Sequence, residues 1–372
     1  MTLLFYLILI IIPLVTYGKS IDPFGIKTLL VMVLGFLCLL GYRQPRKYYQ
    51  PDVAYLFFGW VVISYLYTPW KLGNPGLEVL LMTAYLGIYV YARDHIFTDK
   101  VVPVILVSAV LSLSYNFWMT GIHFARLEIG PSFVNANIYA GWLVLILPVV
   151  FAWALSGRRI KAVTGGFIFG FGLIALWMTG CRSALLGLTL ALAAFSAFYW
   201  GKRGILAGAS IIGLFGAIWW GVFPHKVIDS SRAHFWSGIM DLMASKPWTG
   251  YGVGSFNVVY PLFKTNVMEG IIPNHLLGHA HNWAFEMVSE IGIIGLLLFL
   301  FMIWKIWKQA DRANIYNVAL IAGVFGCLVD NFYNISLRYS AVGLLFWLYL
   351  GLLSKGEKEN ALWRYDDPCL DY

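Results

Sequence analysis

Charge is scarce in this sequence. Asp, Glu, Lys and Arg make up 12% of its 372 residues, about half the roughly 25% of an ordinary soluble domain, and that shortfall excludes a water-soluble globule. Cysteine is scarce too: Cys38, Cys181, Cys327 and Cys369 stand singly, without a C-x-x-C spacing. A disulfide framework and a thiolate metal site are therefore not implied. There is no H-E-x-x-H run, no low-complexity tract and no convincing internal repeat, so the inverted-repeat signature of many transporters is missing.

What is present is apolar surface. Hydrophobic residues make up 60% of the chain, enough at roughly 20 residues per span for eleven or twelve crossings of a bilayer. Runs of the required length fall near 2–18, 25–41, 52–68, 76–92, 101–118, 136–155, 161–179, 183–200, 204–222, 281–304, 314–331 and 339–353. The first has no basic flank and no small-residue cleavage site, so it reads as a retained helix. The formal charge of +8 follows from topology rather than from nucleic acid: with the N-terminus inside, sixteen of the 26 Lys and Arg fall on the cytoplasmic side. Both termini are expected there. The expected organisation is nine spans in 1–222, a long outer loop at 223–280, three spans in 281–353 and a cytoplasmic tail at 354–372.

The long loop concentrates the polar sequence, and function usually sits where a long loop is retained. Ser230 or Ser231 can cap a helix in which Phe235, Ile239, Leu242 and Met243 share a face, ended by Lys246-Pro247. Trp248 to Phe256 alternates glycine with bulky residues, which is turn chemistry, and a second short amphipathic stretch runs from Phe256 to Phe263. Such a loop is either an interfacial lid on aromatic anchors or a lid over a glycan cleft. Of seven histidines, His225, His234, His275, His279 and His281 lie in it or at its edge. Two causes fit: a metal triad of His275, His279 and His281, or one catalytic base with passive neighbours.

His281 opens an apolar run of two dozen residues interrupted only by Glu286 and Glu290. A neutral imidazole at the edge of the membrane can take a proton from a sugar hydroxyl at neutral pH; its alternative is to cap the helix. Gly292 and Gly295 make the face beneath it small, for a neighbouring helix or for a lipid chain. Arg182 stands where the eighth span begins, and a guanidinium so near hydrocarbon needs an anionic partner. A pyrophosphate suits its paired donors; Asp330 is the other option. Arg232 and Arg338 lie on the same side and could converge with it. Arg126, Asn135 and Asn137 flank the outer end of the sixth span, as caps or as donors to sugar or phosphate.

Together these residues resemble the O-antigen ligase and polymerase superfamily of polytopic bacterial glycosyltransferases. Its H-[NSQ]-x9-G-x-x-[GTY] element is matched by His281, Asn282, Gly292 and Gly295. Arg182-Ser183-Ala184 matches an arginine at the head of a span, with Cys181 where a small hydroxyl residue is common. Arg232, Phe235 and Trp236 followed by Pro247, Gly250, Gly252, Gly254, Ser255 and Phe256 match the loop pattern, and Gly130, Phe133, Asn135 and Asn137 match G-x-x-F-x-N-x-N.

The resemblance implies an all-α polytopic membrane protein of about twelve transmembrane helices, with short amphipathic helices in one long periplasmic loop. It implies an inverting transferase of the GT-C type in the bacterial inner membrane, needing no metal or other cofactor. The donor would be a glycan on undecaprenyl diphosphate. The acceptor would be lipid A core for a ligase or a second lipid-linked repeat for a polymerase. His281 would be the general base and Arg182 and Arg232 would hold the leaving diphosphate, with Arg126, Asn135, Asn137, Asn282, Arg338 and His279 as further substrate contacts. A flippase for the same lipid-linked glycan, or a relative that glycosylates protein, is the rival expectation.

Overall fold

The computed structural model describes residues 1–15, 23–41, 52–69, 71, 74–120, 133, 135–222, 230–263 and 279–355, with side chains left out at 23–24, 120, 220–222 and 230–234. The regular elements among these residues are all helices, and no strand occurs among them. The helices are α1 (Thr2–Ile11), α2 (Pro23–Leu40), α3 (Val53–Leu66), α4 (Asn74–His95), α5 (Thr98–Thr120), α6 (Ala136–Leu155), α7 (Arg159–Thr179), α8 (Arg182–Trp200), α9 (Lys202–Val222), α10 (Ser230–Ser245), α11 (Phe256–Val259), α12 (Trp283–Gln309), α13 (Ile315–Asp330) and α14 (Ser340–Leu353). Short 3₁₀ turns follow α11 at Tyr260–Phe263 and precede α14 at Ser336–Arg338.

Each of the twelve apolar runs contains one helix, because in hydrocarbon the backbone must satisfy its own N–H and C=O groups. Seven of these helices, α4 to α9 and α12, are long and apolar enough to cross a membrane. The helices in the other five runs are apolar but run only 10–17 residues among the described positions, so a count of seven spans is supported where twelve was expected. The core lies in α6, α13 and α14, whose side chains are buried almost end to end. Helices α8 and α13 meet at Gly187 and Gly326, where a side chain on either would run into the carbonyl oxygen of the other. Helix α9 stands at the periphery, with Ile205, Leu206 and Leu214 exposed, as a surface bathed in lipid requires.

The loop helices form as expected. Helix α10 buries Phe235, Ile239 and Leu242 against Phe256, Val259 and Tyr260, a small apolar cluster separate from the main core. The glycine-rich segment between them is neither helix nor strand over most of its length.

Candidate active site

Helix α12 is 27 residues long and is broken at Gly292, whose φ of 73° and ψ of 179° are not helical. The sequence suggested one continuous helix, with Gly292 stacked beneath His281; the structure corrects this. What approaches Gly292 is the backbone of Trp248 and Thr249, so close that a side chain there would collide with the Trp248 carbonyl. Neither a helix nor a lipid chain fills that position.

The break is spliced by the glycine loop. Ile293 N and Ile294 N, which have lost their helical acceptors, donate to Pro247 O (2.8 Å) and Trp248 O (3.3 Å). The vacated carbonyls of Ser289 and Glu290 accept from Tyr251 N (2.9 Å) and Gly252 N (2.6 Å). Trp60 Nε1 donates to Ile291 O at 2.8 Å, and Tyr67 Oη donates to Thr249 O at 2.7 Å. Every backbone group opened by the break that these bonds reach is satisfied again, as burial away from water demands. The two glycine motifs of the sequence, forty residues apart, are therefore halves of one joint.

Directly before α12 lies the histidine turn. Asn282 is the N-cap and its side chain accepts from Ala284 N and Phe285 N at 3.0 and 3.1 Å. The helix thus begins two residues after His281, and the cap is asparagine, not imidazole. His281 is the one non-glycine residue with positive φ (50°) among the described residues, and it packs edge-on against Phe235 of α10 at 6.4 Å. The turn is pinned around it. Ala280 N donates to Glu286 Oε2 (3.1 Å), Trp236 Nε1 to Ala280 O (3.3 Å), and Trp283 N to Asn331 O (3.0 Å).

His279 Nδ1 sits 2.9 Å from Glu286 Oε1. Burial alone would lower its pKa, but the hydrogen bond and the charge of Glu286 outweigh burial and raise it above the ordinary value. Glu286 also receives Arg338, through Nε at 2.9 Å and Nη2 at 2.8 Å. The same guanidinium reaches Glu290 Oε2 at 2.6 Å and Glu78 Oε2 at 3.1 Å. Arg338, which the sequence offered as a diphosphate ligand, is thus placed among three carboxylates. Glu78, from α4, carries one signal in the sequence, that of an acid inside an apolar helix.

A second polar node lies one step along the chain. Asp330, fully buried at the end of α13, accepts from Ser183 Oγ (2.7 Å), Asn334 Nδ2 (3.0 Å) and Ser336 Oγ (3.0 Å). Asn334 Nδ2 also donates to the carbonyl of Asn137 (3.0 Å), and Asn331 Oδ1 accepts from Leu337 N. This node brings the N-terminal ends of α6 and α8 to the 331–338 connection. Arg182, half-buried, is the first residue of α8. Asn135 is the N-cap of α6 and accepts from Asn137 N at 2.8 Å.

Arg182, Asn135, Asn137, His279, His281, Asn282 and Arg338 therefore stand at one end of the bundle. Arg232 lies in the first turn of α10, one turn ahead of the residues that touch His281 and Ala280, and its side chain is outside the described residues. Arg126, His225 and His275 lie outside them as well, as does the side chain of His234.

Between α3, α4, α12 and α14 a cleft opens beside Arg338. Its walls are mostly apolar, with Glu78, Glu286, Glu290 and Arg338 as the polar exceptions beside Asn331 and Asn334.

Residues 167–300 match the family model described as O-Antigen ligase. The matched stretch holds Arg182, the loop helix, both glycine motifs and the histidine turn. The match supports the O-antigen ligase superfamily, which the motifs resemble. No curated protein matches the chain.

Proposed function

From the O-antigen ligase superfamily as premise, we propose that this protein moves a glycan from undecaprenyl diphosphate to an acceptor hydroxyl. The reaction takes place on the periplasmic face of the bacterial inner membrane, with lipid A core as acceptor. One observation carries the reading. His281 is held in a left-handed backbone conformation by a turn pinned on both sides, at the end of the bundle where α8 begins with Arg182. A non-glycine residue with positive φ costs of order 1–3 kcal/mol and persists where the surroundings impose it. Such an outlier beside an ion-pair cluster suits a positioned base.

In this reading His281 accepts the proton of the acceptor hydroxyl as the oxygen bonds to the anomeric carbon. The bond from that carbon to the diphosphate oxygen breaks, and the diphosphate leaves with the electron pair. Attack opposite the leaving group inverts the anomeric centre. Arg182 and Arg232 neutralise the departing charge, a role that paired guanidinium donors perform without a metal. Glu286 and Arg338 do not touch the reacting atoms in this scheme; they fix the turn that carries the base.

Purified protein incubated with lipid-linked oligosaccharide, alone and then with lipid A core, tests the reading by product mass. A glycan-bearing core is the expected product. Growth of the donor without a second acceptor would replace ligase by polymerase, and movement of intact donor across a proteoliposome without a new bond would replace both by a flippase.

A further inference from the structure

The end of α12 farthest from His281 carries positive charge in excess. Lys305 and Lys308 lie in its last two turns and Arg312 in the turn to α13, while Lys202 and Arg203 open α9. Among the described residues none of these five cations forms an ion pair. Two carboxylates come near without pairing. Asp311 Oδ1 accepts from Ala313 N at 2.9 Å, and Asp99 of α5 accepts from Asn314 Nδ2 at 3.5 Å.

Contacts gather the cations at one rim. Arg312 Nη2 donates to Trp307 O at 3.2 Å, which seats the guanidinium beside Lys308, and its Cζ stands 5.0 Å over the ring of Phe198. Phe198 lies in the last turn of α8, and α9 begins directly after Gly201, so Lys202 and Arg203 follow it within about a turn. On the other side, Lys308 Nζ is 5.2 Å from the centre of the Trp304 ring, and Trp304 stacks on Phe301 at 5.7 Å. Leu297, Phe301, Trp304 and Lys308 are exposed and follow the i, i+4, i+7, i+11 spacing of one helix face. An exposed apolar strip therefore leads up to a basic head.

The strip and the head together define a ligand. Orientation alone calls for cations at a membrane edge, but not for two of them to sit on aromatic rings at the end of an apolar strip. Three positive charges in excess suit phosphate, to which arginine brings paired donors, and they match two phosphates better than one. At 1.5 Å per residue Lys308 lies about 24 Å along α12 from Gly292, so the rim is remote from the histidine turn.

We propose that this rim binds one anionic phospholipid with a two-phosphate head, its phosphates on the five cations and one acyl chain along Leu297, Phe301 and Trp304. The site does not depend on the transferase reading, because no reacting group lies in it.

Native mass spectrometry of the detergent-purified chain tests this, with tetraoleoyl cardiolipin, dioleoyl phosphatidylglycerol and dioleoyl phosphatidylcholine added in turn. The expected result is one cardiolipin held more tightly than phosphatidylglycerol, and no phosphatidylcholine retained. Joint replacement Lys308→Gln and Arg312→Gln should weaken cardiolipin about 30-fold, two charges at the usual worth of each beside an anionic lipid. Arg158→Gln with Arg159→Gln removes as much charge at the α6–α7 turn and should leave binding within about twofold of the parent's. Equal retention of the three lipids would overturn the proposal. Equal weakening by the two pairs would do so as well, since charge anywhere on the molecule would then suffice. Displacement of the lipid by equimolar inorganic pyrophosphate would assign the cations to a free phosphate and remove the acyl contact. Lipid selectivity is read on the unaltered protein, so the answer does not hang on a variant folding.

Discussion

His281 and His279 are two residues apart and do different work. His281 takes the unusual backbone conformation and packs on Phe235, whereas His279 is tied to Glu286. Replacing His281 by Ala is expected to lower transfer by at least about 100-fold, the usual worth of a positioned general base, while the thermal midpoint stays within a degree or two of the parent's. Product formation and a melting curve on the same preparation check it. For His279 the prediction concerns pH. Its folded-state pKa is raised, so its contact with Glu286 contributes stability that is complete below the unfolded value of about 6.5. That contribution is lost as pH rises through the higher folded value. The His279→Gln variant cannot ionise, and its melting temperature should lose that alkaline decline. Melting temperatures across pH 6 to 9 for both proteins provide the comparison.

At the scale of elements, the joint between α12 and the glycine loop makes the sharpest prediction. Gly292→Ala places a side chain at φ 73° and against the Trp248 carbonyl, so it should destabilise by more than the roughly 1 kcal/mol of an ordinary glycine replacement at positive φ. It should also free the loop. Limited proteolysis should cut near Gly250 in the variant and spare the parent.

This joint was not legible in the sequence. A glycine in an apolar run reads as a packing site, and nothing local to Gly292 tells that its backbone partners are Pro247 and Trp248. The loop helix was legible, because Phe235, Ile239 and Leu242 repeat with the helical period and Lys246-Pro247 stops them. The start of α12 was misplaced by two residues because His281 and Asn282 can both cap, and only the cap geometry decides for Asn282.

Across the whole molecule, the helices were the most readable feature, since a bilayer demands long uninterrupted apolar runs. Each run contains a helix, α6 at Ala136–Leu155 without a residue's difference, although α1 ends at Ile11 where its run extends to 18 and α12 is broken at Gly292. The carboxylate cluster was the least readable. Glu78 and Arg338 are 260 positions apart, and single charges in apolar helices carry no mark of their partners. Arg182 was legible as the head of α8; the Asp330 node that ties its neighbour Ser183 to the 331–338 connection was not.

Orientation gives the prediction at this scale. In a cysteine-free background, single cysteines at Gly157 and Gly201, between α6 and α7 and between α8 and α9, should react with an impermeant thiol reagent only after the cytoplasmic side is opened. A cysteine at Asn135 should react in intact spheroplasts. The opposite pattern would invert the molecule and remove the periplasmic site.

The exchange of hydrogen bonds at Gly292 also bears on how a substrate gets in. To lift away, the loop would have to strand two amides and two carbonyls of α12, each costing about 1–3 kcal/mol if left dry. A hatch so fastened resists opening. A ligand with a hydrocarbon tail would then come in sideways, sliding from the bilayer between helices, its head travelling along the rim while the roof stays in place.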